Sequence, residues 1–143
     1  MGLGKLRFKS KQYTRMNTDR FKFRAWDTCC NRMRYEEDYA IVPDTGKPHW
    51  IHDQELIQGE AEQLILMQCI GLKDIEGKLI YEGDIIEVWL NGEYSIKQLL
   101  QVVFKEMSFW YMDEDGELFR FFPGVHLKVA GNIYENPNLF VHV

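Results

Sequence analysis

Cysteine is scarce in this chain of 143 residues: there are three, two of them adjacent, Cys29 and Cys30. An odd set with a vicinal pair fits a reducing compartment better than a disulfide framework, and Cys29-Cys30 has neither redox-motif nor zinc-finger spacing. Long apolar runs are missing as well. No stretch approaches the roughly eighteen residues that span a bilayer, and the basic N-terminus is not followed by the apolar segment of a signal peptide. A cytoplasmic protein with no membrane partner is expected. The sequence also holds no G-x-S-x-G, no G-x-G-x-x-G, no P-loop and no His-Glu-x-x-His. Its length allows one ordinary domain or two very small ones, too little for separate cofactor and substrate domains. Nothing here argues for an enzyme, and no cofactor is expected.

What is present suffices for a packed core: 45% of the residues are hydrophobic, 27% charged and an unusual 14% aromatic, which excludes a disordered or fibrous chain. The net charge of −5 conceals two opposite charges. Residues 1–24 carry eight Lys and Arg against Asp19 alone, +7, whereas the other 119 carry nine basic and 21 acidic residues, −12. A basic arm on an acidic body is either a solvated terminus or a phosphate-binding tail. The first is favoured, because the arm is short and has no Arg-rich or Lys-rich block. Met16 precedes Asn-Thr-Asp-Arg and the first strand-like run, so residues 1–15 read as an upstream addition to a domain that starts there; mass spectrometry of the native protein finding Met1 or Gly2 as the terminus would oppose this.

From Arg20 onward short strands alternate with turn signals. Phe21, Phe23 and Ala25 alternate with Lys22, Arg24 and Trp26, the period of a half-buried strand. Asp27 to Asn31 is a polar break, and Arg32 to Tyr35 returns as the second strand of a hairpin. Two prolines and a glycine between Ile41 and Pro48 indicate a loop, after which Trp50 and Ile51 re-enter a sheet. Residues 54–62 read as a turn or short helix with Asp53 as its N-cap, and 64–70 as a strand. Gly71, Gly77 and Gly83 each mark a turn. Ile86, Val88 and Leu90 form an apolar strand face, Asn91-Gly92 is a strong hairpin signal, and 101–104, 109–112 and 117–122 are further strands. Asp113 to Gly116 turns between the last two, and Pro123-Gly124 is another break. Val125, Leu127 and Val129 alternate with His126 and Lys128, Gly131 permits a bulge, and Asn136-Pro137 ends the run. Short strands about ten residues apart indicate a small antiparallel barrel or sandwich.

Two clusters resemble metal sites superficially. His49 and His52 with Asp53 and Glu55 lack a matching Cys or His pair, and a polar loop is the better account. Asp113, Glu114, Asp115 and Glu117 lack EF-hand spacing and fit a hairpin turn. No metal is expected. Cys69 lies in an apolar strand and reads as core. Phe109, Trp110, Tyr111, Phe119, Phe121 and Phe122 crowd two successive strands, so both faces of that hairpin are aromatic. One face is core; the other, with Arg120, offers a protein contact patch or a stacking platform for bases. The −12 of the body repels phosphates, and Lys105, Arg120 and Lys128 are too few to form a basic groove, so a protein partner or self-association ranks above nucleic acid.

Three segments carry a family resemblance. Phe21-Lys22-Phe23-Arg24-Ala25-Trp26-Asp27 with Arg32-Met33, the run from Gly71 to Ile86, and Gly131-Asn132-Ile133-Tyr134-Glu135-Asn136-Pro137 resemble, in order and spacing, the opening, central and closing signatures of the YopX family of phage and prophage proteins. Cys69-Ile70 stand where an aromatic and Thr are more usual, and residues 1–15 lie outside the pattern. The resemblance implies a small, mostly β protein and brings no catalytic residues. Its signature positions, Trp26, Asp27, Gly71, Leu72, Asp74, Gly77, Tyr81, Gly83, Asp84, Gly131, Asn132, Tyr134, Asn136 and Pro137, read physically as structural, since Gly, Asp and Asn-Pro are turn chemistry.

The expected protein is therefore mainly β: a basic arm over 1–19, an N-terminal hairpin and irregular linker over 20–63, and an SH3-like barrel over 64–143, with at most one or two short helices. The expected function is a phage- or prophage-encoded module that binds a host or phage protein through Phe109, Trp110, Tyr111, Phe119, Arg120 and Phe121, with homo-oligomers as a further form. The alternatives are nucleic-acid binding through the arm and the same aromatics, and a small enzyme without a recognisable motif.

Overall fold

The computed structural model describes residues 18–89, 97–121 and 126–140. The N-terminal arm up to Asn17, the Asn91-Gly92 turn and the Pro123-Gly124 break lie outside the described residues. The chain is mainly β, with curled antiparallel sheets forming a half-barrel. A 3-10 turn, Asp19–Phe21, precedes β1 (Phe23–Asp27), β2 (Arg32–Arg34), β3 (Tyr39–Val42), β4 (Lys47–His52), β5 (Glu55–Leu56), β6 (Leu64–Lys73), β7 (Leu79–Tyr81), β8 (Asp84–Trp89), β9 (Lys97–Lys105), β10 (Ser108–Met112), β11 (Leu118–Phe119) and β12 (His126–Asn132). They form sheets in the orders β2-β1-β6-β7, β3-β4-β5 and β11-β10-β9-β8-β12. The last is a four-strand meander whose fifth strand returns beside the first, as an SH3-like chain requires.

The β1–β2 hairpin forms where the sequence places it, and Asp27 explains why. Its Oδ1 accepts the N–H groups of Cys29 and Cys30, closing the turn, while Oδ2 accepts both Nε and NH2 of Arg34 on the returning strand. β1 is not half-buried, however. Arg24, Ala25, Trp26 and Asp27 are all buried, and Phe21, assigned to the apolar face, sits in the 3-10 turn with 56% of its surface exposed. Both faces of β1 are covered by different parts of the chain, which defeats an alternation rule that assumes one wet face.

The segment expected to be an irregular linker holds a three-stranded sheet. Tyr39 pairs with Trp50 and Val42 with Lys47 across a turn closed by the N–H groups of Thr45 and Gly46 on Val42 O. Asp53 caps no helix. Asp53 and Gln54 take left-handed conformations (φ 49° and 65°) and form a two-residue turn that pairs Ile51 with Leu56 and His52 with Glu55. Among the described residues there is no α-helix.

β6 runs from Leu64 to Lys73, past the expected end at 70, because a bulge carries it through Gly71. The C-terminal core is Ile80, Ile86, Val88, Leu100, Val102, Tyr111 and Val129; a second cluster of Ala25, Tyr39, Ala61 and Leu64 lies between β1 and the three-stranded sheet. The strand expected over 117–122 is only Leu118–Phe119, and the expected bulge in β12 falls between Val129 and Gly131. A Cβ on Gly131 would collide with Asn136 Oδ1, the atom that accepts the Asn132 N–H, so only glycine admits this approach. The free edge of β12 is blocked: Val129 N–H donates to Asp74 Oδ2 at 3.0 Å and Ile75 N–H donates to Leu127 O.

Candidate functional site

The signature residues converge on the joints between sheets. Arg24 of β1 donates to Asp84 Oδ1 of β8 at 2.6 Å, both side chains being buried, and its guanidinium lies 4.7 Å from the centre of the Tyr81 ring. Asp84 Oδ2 accepts the Tyr81 N–H, closing the turn through Gly83. Gly83 has φ 85°, and a Cβ there would press on Met67 Sδ at 3.2 Å. Burial pushes the Asp84 carboxyl up, against the charge of Arg24 and the Tyr81 N–H. Trp26 stacks on Tyr134 with centroids 5.5 Å apart. Asn132 Oδ1 accepts the N–H groups of Tyr134 and Glu135. Asn136 Oδ1 accepts the Asn132 N–H, and Pro137 follows in the exposed last turn. Asp74 accepts from Glu76, Lys78 and Val129, and the Gly77 N–H closes the same turn on Asp74 O. Gly71 is the β6 bulge, and Leu72 beside it is exposed. The carboxylates of Asp74 and Asp84 are engaged with amides or the Arg24 guanidinium in these joints, whereas the buried Arg24 Nε has no hydrogen-bond partner.

The sequence also singled out Phe109, Trp110, Tyr111, Phe119, Arg120 and Phe121, and the structure does not bring them to one surface. Tyr111 is 1% exposed and belongs to the core, with Phe121 edge-on to it at 4.2 Å and Phe119 packed alongside. The register forces this, since Tyr111 lies opposite Val102 on the core face of β9. Trp110 is half-buried on the other face, its indole N–H donating to Lys105 O at 2.9 Å and Arg120 lying 5.6 Å from its ring centre. Phe122 lies outside the described residues. The Tyr111 hydroxyl is buried without a hydrogen-bond partner, and burial pushes its ionisation well above the usual range. Tyr111→Phe removes that unpaired group and is expected to raise stability by about 1 kcal/mol; a urea unfolding midpoint that falls instead would show that the hydroxyl is satisfied.

Two residues not singled out from the sequence carry the exposure. Met107, at the tip of the β9–β10 hairpin, is 93% exposed, and Phe104 is 53% exposed with its ring edge-on to Phe109 at 5.1 Å. Phe104 and Phe109 face each other in the ladder, two residues beyond the core pair Val102 and Tyr111, so they project past the end of the core on its apolar face. That continuation of the period-two pattern was the available signal. Next to Phe104 a groove of about 330 Å³ separates β6 from β9, lined by Met67, Val103, Ile133 and Tyr134 among others. A second hollow of about 360 Å³ lies at Phe21, Phe23, Tyr39 and Ile41. His49 Nδ1 lies 3.2 Å from Ile57 O and exposed His52 lies beside Asp53, and no group of three potential metal ligands occurs among the described residues.

No described helix is long and apolar enough to cross a membrane. No curated protein sequence matches the chain. The solved structures that share the fold include these two. One is protein YopX from Bacillus subtilis, 20% identical over 85% of this chain and 97% of that one, with a TM-score of 0.62. The other is protein EF1440 from Enterococcus faecalis, 24% identical over 84% and 97%, with a TM-score of 0.53. The family model described as YopX protein matches residues 22–141, a span that takes in the central and closing signature segments and all of the opening one after Phe21, and on that match the chain belongs to the YopX family.

Proposed function

We propose that the chain is a phage- or prophage-encoded binding module that acts in the bacterial cytoplasm by engaging a host or phage protein, and that it is not an enzyme. The observation that carries this is the tip of the β9–β10 hairpin. An exposed Met107 and the exposed edge of the Phe104–Phe109 pair stand together where no core needs them. Methionine and aromatic side chains are enriched at protein contacts because they offer adaptable or rigid apolar area. The acidic body favours a partner of opposite charge, which steers encounter more than it adds affinity.

The tip is also built against its own backbone preference. Glu106 and Met107 have φ of 49° and 65°, a two-residue turn of the kind that favours Asn-Gly, yet neither is glycine or asparagine. The double change Glu106→Asn, Met107→Gly is expected to stabilise the protein by about 1 kcal/mol while weakening partner binding, both read on the same preparation by urea unfolding and by affinity capture from cells that naturally express the chain. Met107→Glu and Phe104→Ser are expected to keep stability within about 0.5 kcal/mol and to lose the captured polypeptide. Undiminished capture by both folded variants would refute the assignment.

A further inference from the structure

Among the described residues, β6 is paired on one side along a stretch where its other edge meets no strand. From Leu64 to Gln68 it pairs with β1, while β7 joins its far side from Cys69 to Lys73. Antiparallel ladders turn successive residues to opposite edges. The Cys69 N–H donates to Lys22 O on the β1 side, and Gln68 O accepts the Glu82 N–H on the other. By the same alternation the N–H and C=O of Leu66 point away from β1, into the groove between β6 and β9, where no strand lies beside them among the described residues. The groove is apolar where Met67, Val103 and Ile133 line it, and Glu82 and Gln101 add polar groups to its lining beside Tyr134. Lys105 stands at its rim next to Phe104, and its ammonium contacts the Met112 thioether at 3.6 Å, with no carboxylate paired to it among the described residues.

On the footing that the chain is a protein-binding module, we propose that this groove takes an extended peptide segment of the partner as an added strand. Its backbone pairs with the N–H and C=O of Leu66, an apolar side chain enters between Met67, Val103 and Ile133, and a carboxylate meets Lys105. Each part of this occupant answers something in the groove. An open strand edge takes up an extended backbone, alternate side chains of an added strand supply specificity, and an unpaired ammonium beside an apolar surface favours a carboxylate. The groove also runs directly into the exposed Phe104–Phe109 pair, so one partner would cover both.

The test uses the full chain labelled with ¹⁵N and the probe peptide acetyl-Thr-Val-Thr-Val-Glu-amide, alongside a copy N-methylated at the second valine, a copy N-methylated at the second threonine, and a copy ending in glutamine. Saturable amide shifts centred on Leu66, Val103 and Lys105 are expected. Because a strand turns alternate amides toward its neighbour, one N-methylated copy is expected to bind at least tenfold more weakly. The glutamine copy is expected to bind several-fold more weakly, and Lys105→Glu to abolish its difference from the parent peptide. Equal binding by both N-methylated copies, shifts centred elsewhere, or no saturable shift at millimolar peptide would overturn the proposal. Concentration-dependent shifts at Leu66 without peptide, the mark of a second copy on the edge, would overturn it as well. Met107→Glu leaves the groove intact and is expected to keep the peptide affinity, so failure of the strand site is distinguishable from failure of the hairpin tip as a contact.

Discussion

Arg24→Met is expected to remove about 3–5 kcal/mol of stability, a large fraction of what a domain of this size has. The loss comes from what is left behind. Asp84 is buried, and without the guanidinium at 2.6 Å its carboxylate keeps the Tyr81 N–H as its remaining hydrogen-bond donor. An uncompensated buried charge is far more costly than the net worth of the pair that held it. Arg24→Lys retains the charge but not the flat guanidinium over Tyr81, so an intermediate loss is expected. Arg24→Met combined with Asp84→Asn is expected to cost less than the two single changes added together, since each single change already breaks the same pair. Urea unfolding of Arg24→Met, Arg24→Lys, Asp84→Asn and the double variant measures this; a loss below about 1 kcal/mol for Arg24→Met would mean that Asp84 finds water or another donor.

Asp74→Ala is the second large effect, and it has a pH signature. One carboxylate accepts three backbone N–H groups, those of Glu76 and Lys78 in its own turn and that of Val129 on β12, the last of them buried. Removing it leaves all three without this acceptor and frees the edge of β12, for an expected loss of about 3 kcal/mol. Burial pushes the Asp74 carboxyl up, but the three N–H groups and the charge of Lys78 outweigh it and hold the group below its ordinary 3.8. The folded state therefore binds this proton more weakly than the unfolded chain does. The stabilisation is complete above 3.8 and is lost as the pH falls through the lower folded value. Asp27 is lowered in the same sense, by Arg34 and the N–H groups of Cys30 and Cys29 acting against burial. Stability measured from pH 5 to pH 2.5 should thus fall less steeply in Asp74→Ala than in the parent, with a residual slope from Asp27. An unchanged slope would remove Asp74 from the acid response.

Much of the frame was legible because turns are written in local chemistry. Asp27 with the polar residues after it gave the first hairpin, and Asp113 to Gly116 gave another, in which Asp113 accepts the N–H groups of Asp115 and Glu117. Gly131 gave the bulge. The misses have a common cause in tertiary packing. Asp53-Gln54 turns left-handed with no glycine, so the β4–β5 hairpin carried no turn signal and a helix cap looked better. Arg24 lay on the polar phase of β1 and proved buried, because its partner Asp84 is sixty residues away. In the aromatic hairpin Tyr111 is core, and the large exposed side chains are Phe104 and Met107. Adjacent positions on a strand cannot share a face, so naming Phe109, Trp110 and Tyr111 together guaranteed that at least one was misassigned. Phe104 and Met107 were missed because exposure at a hairpin tip depends on where the core ends, and that follows from register rather than composition.

A division of labour results. The signature residues lie at the joints between the sheets, and under the proposed function the hairpin tip and the adjoining groove meet the partner. Hydrogen–deuterium exchange on the chain in complex with the polypeptide it captures from its own cells tests this most directly. The expected footprint covers residues 65–67, 82–83 and 103–110, while the Asp74–Lys78 joint exchanges as it does in the free protein. A footprint on that joint with the hairpin tip still exchanging freely, or a folded chain that captures no polypeptide at all, would contradict it.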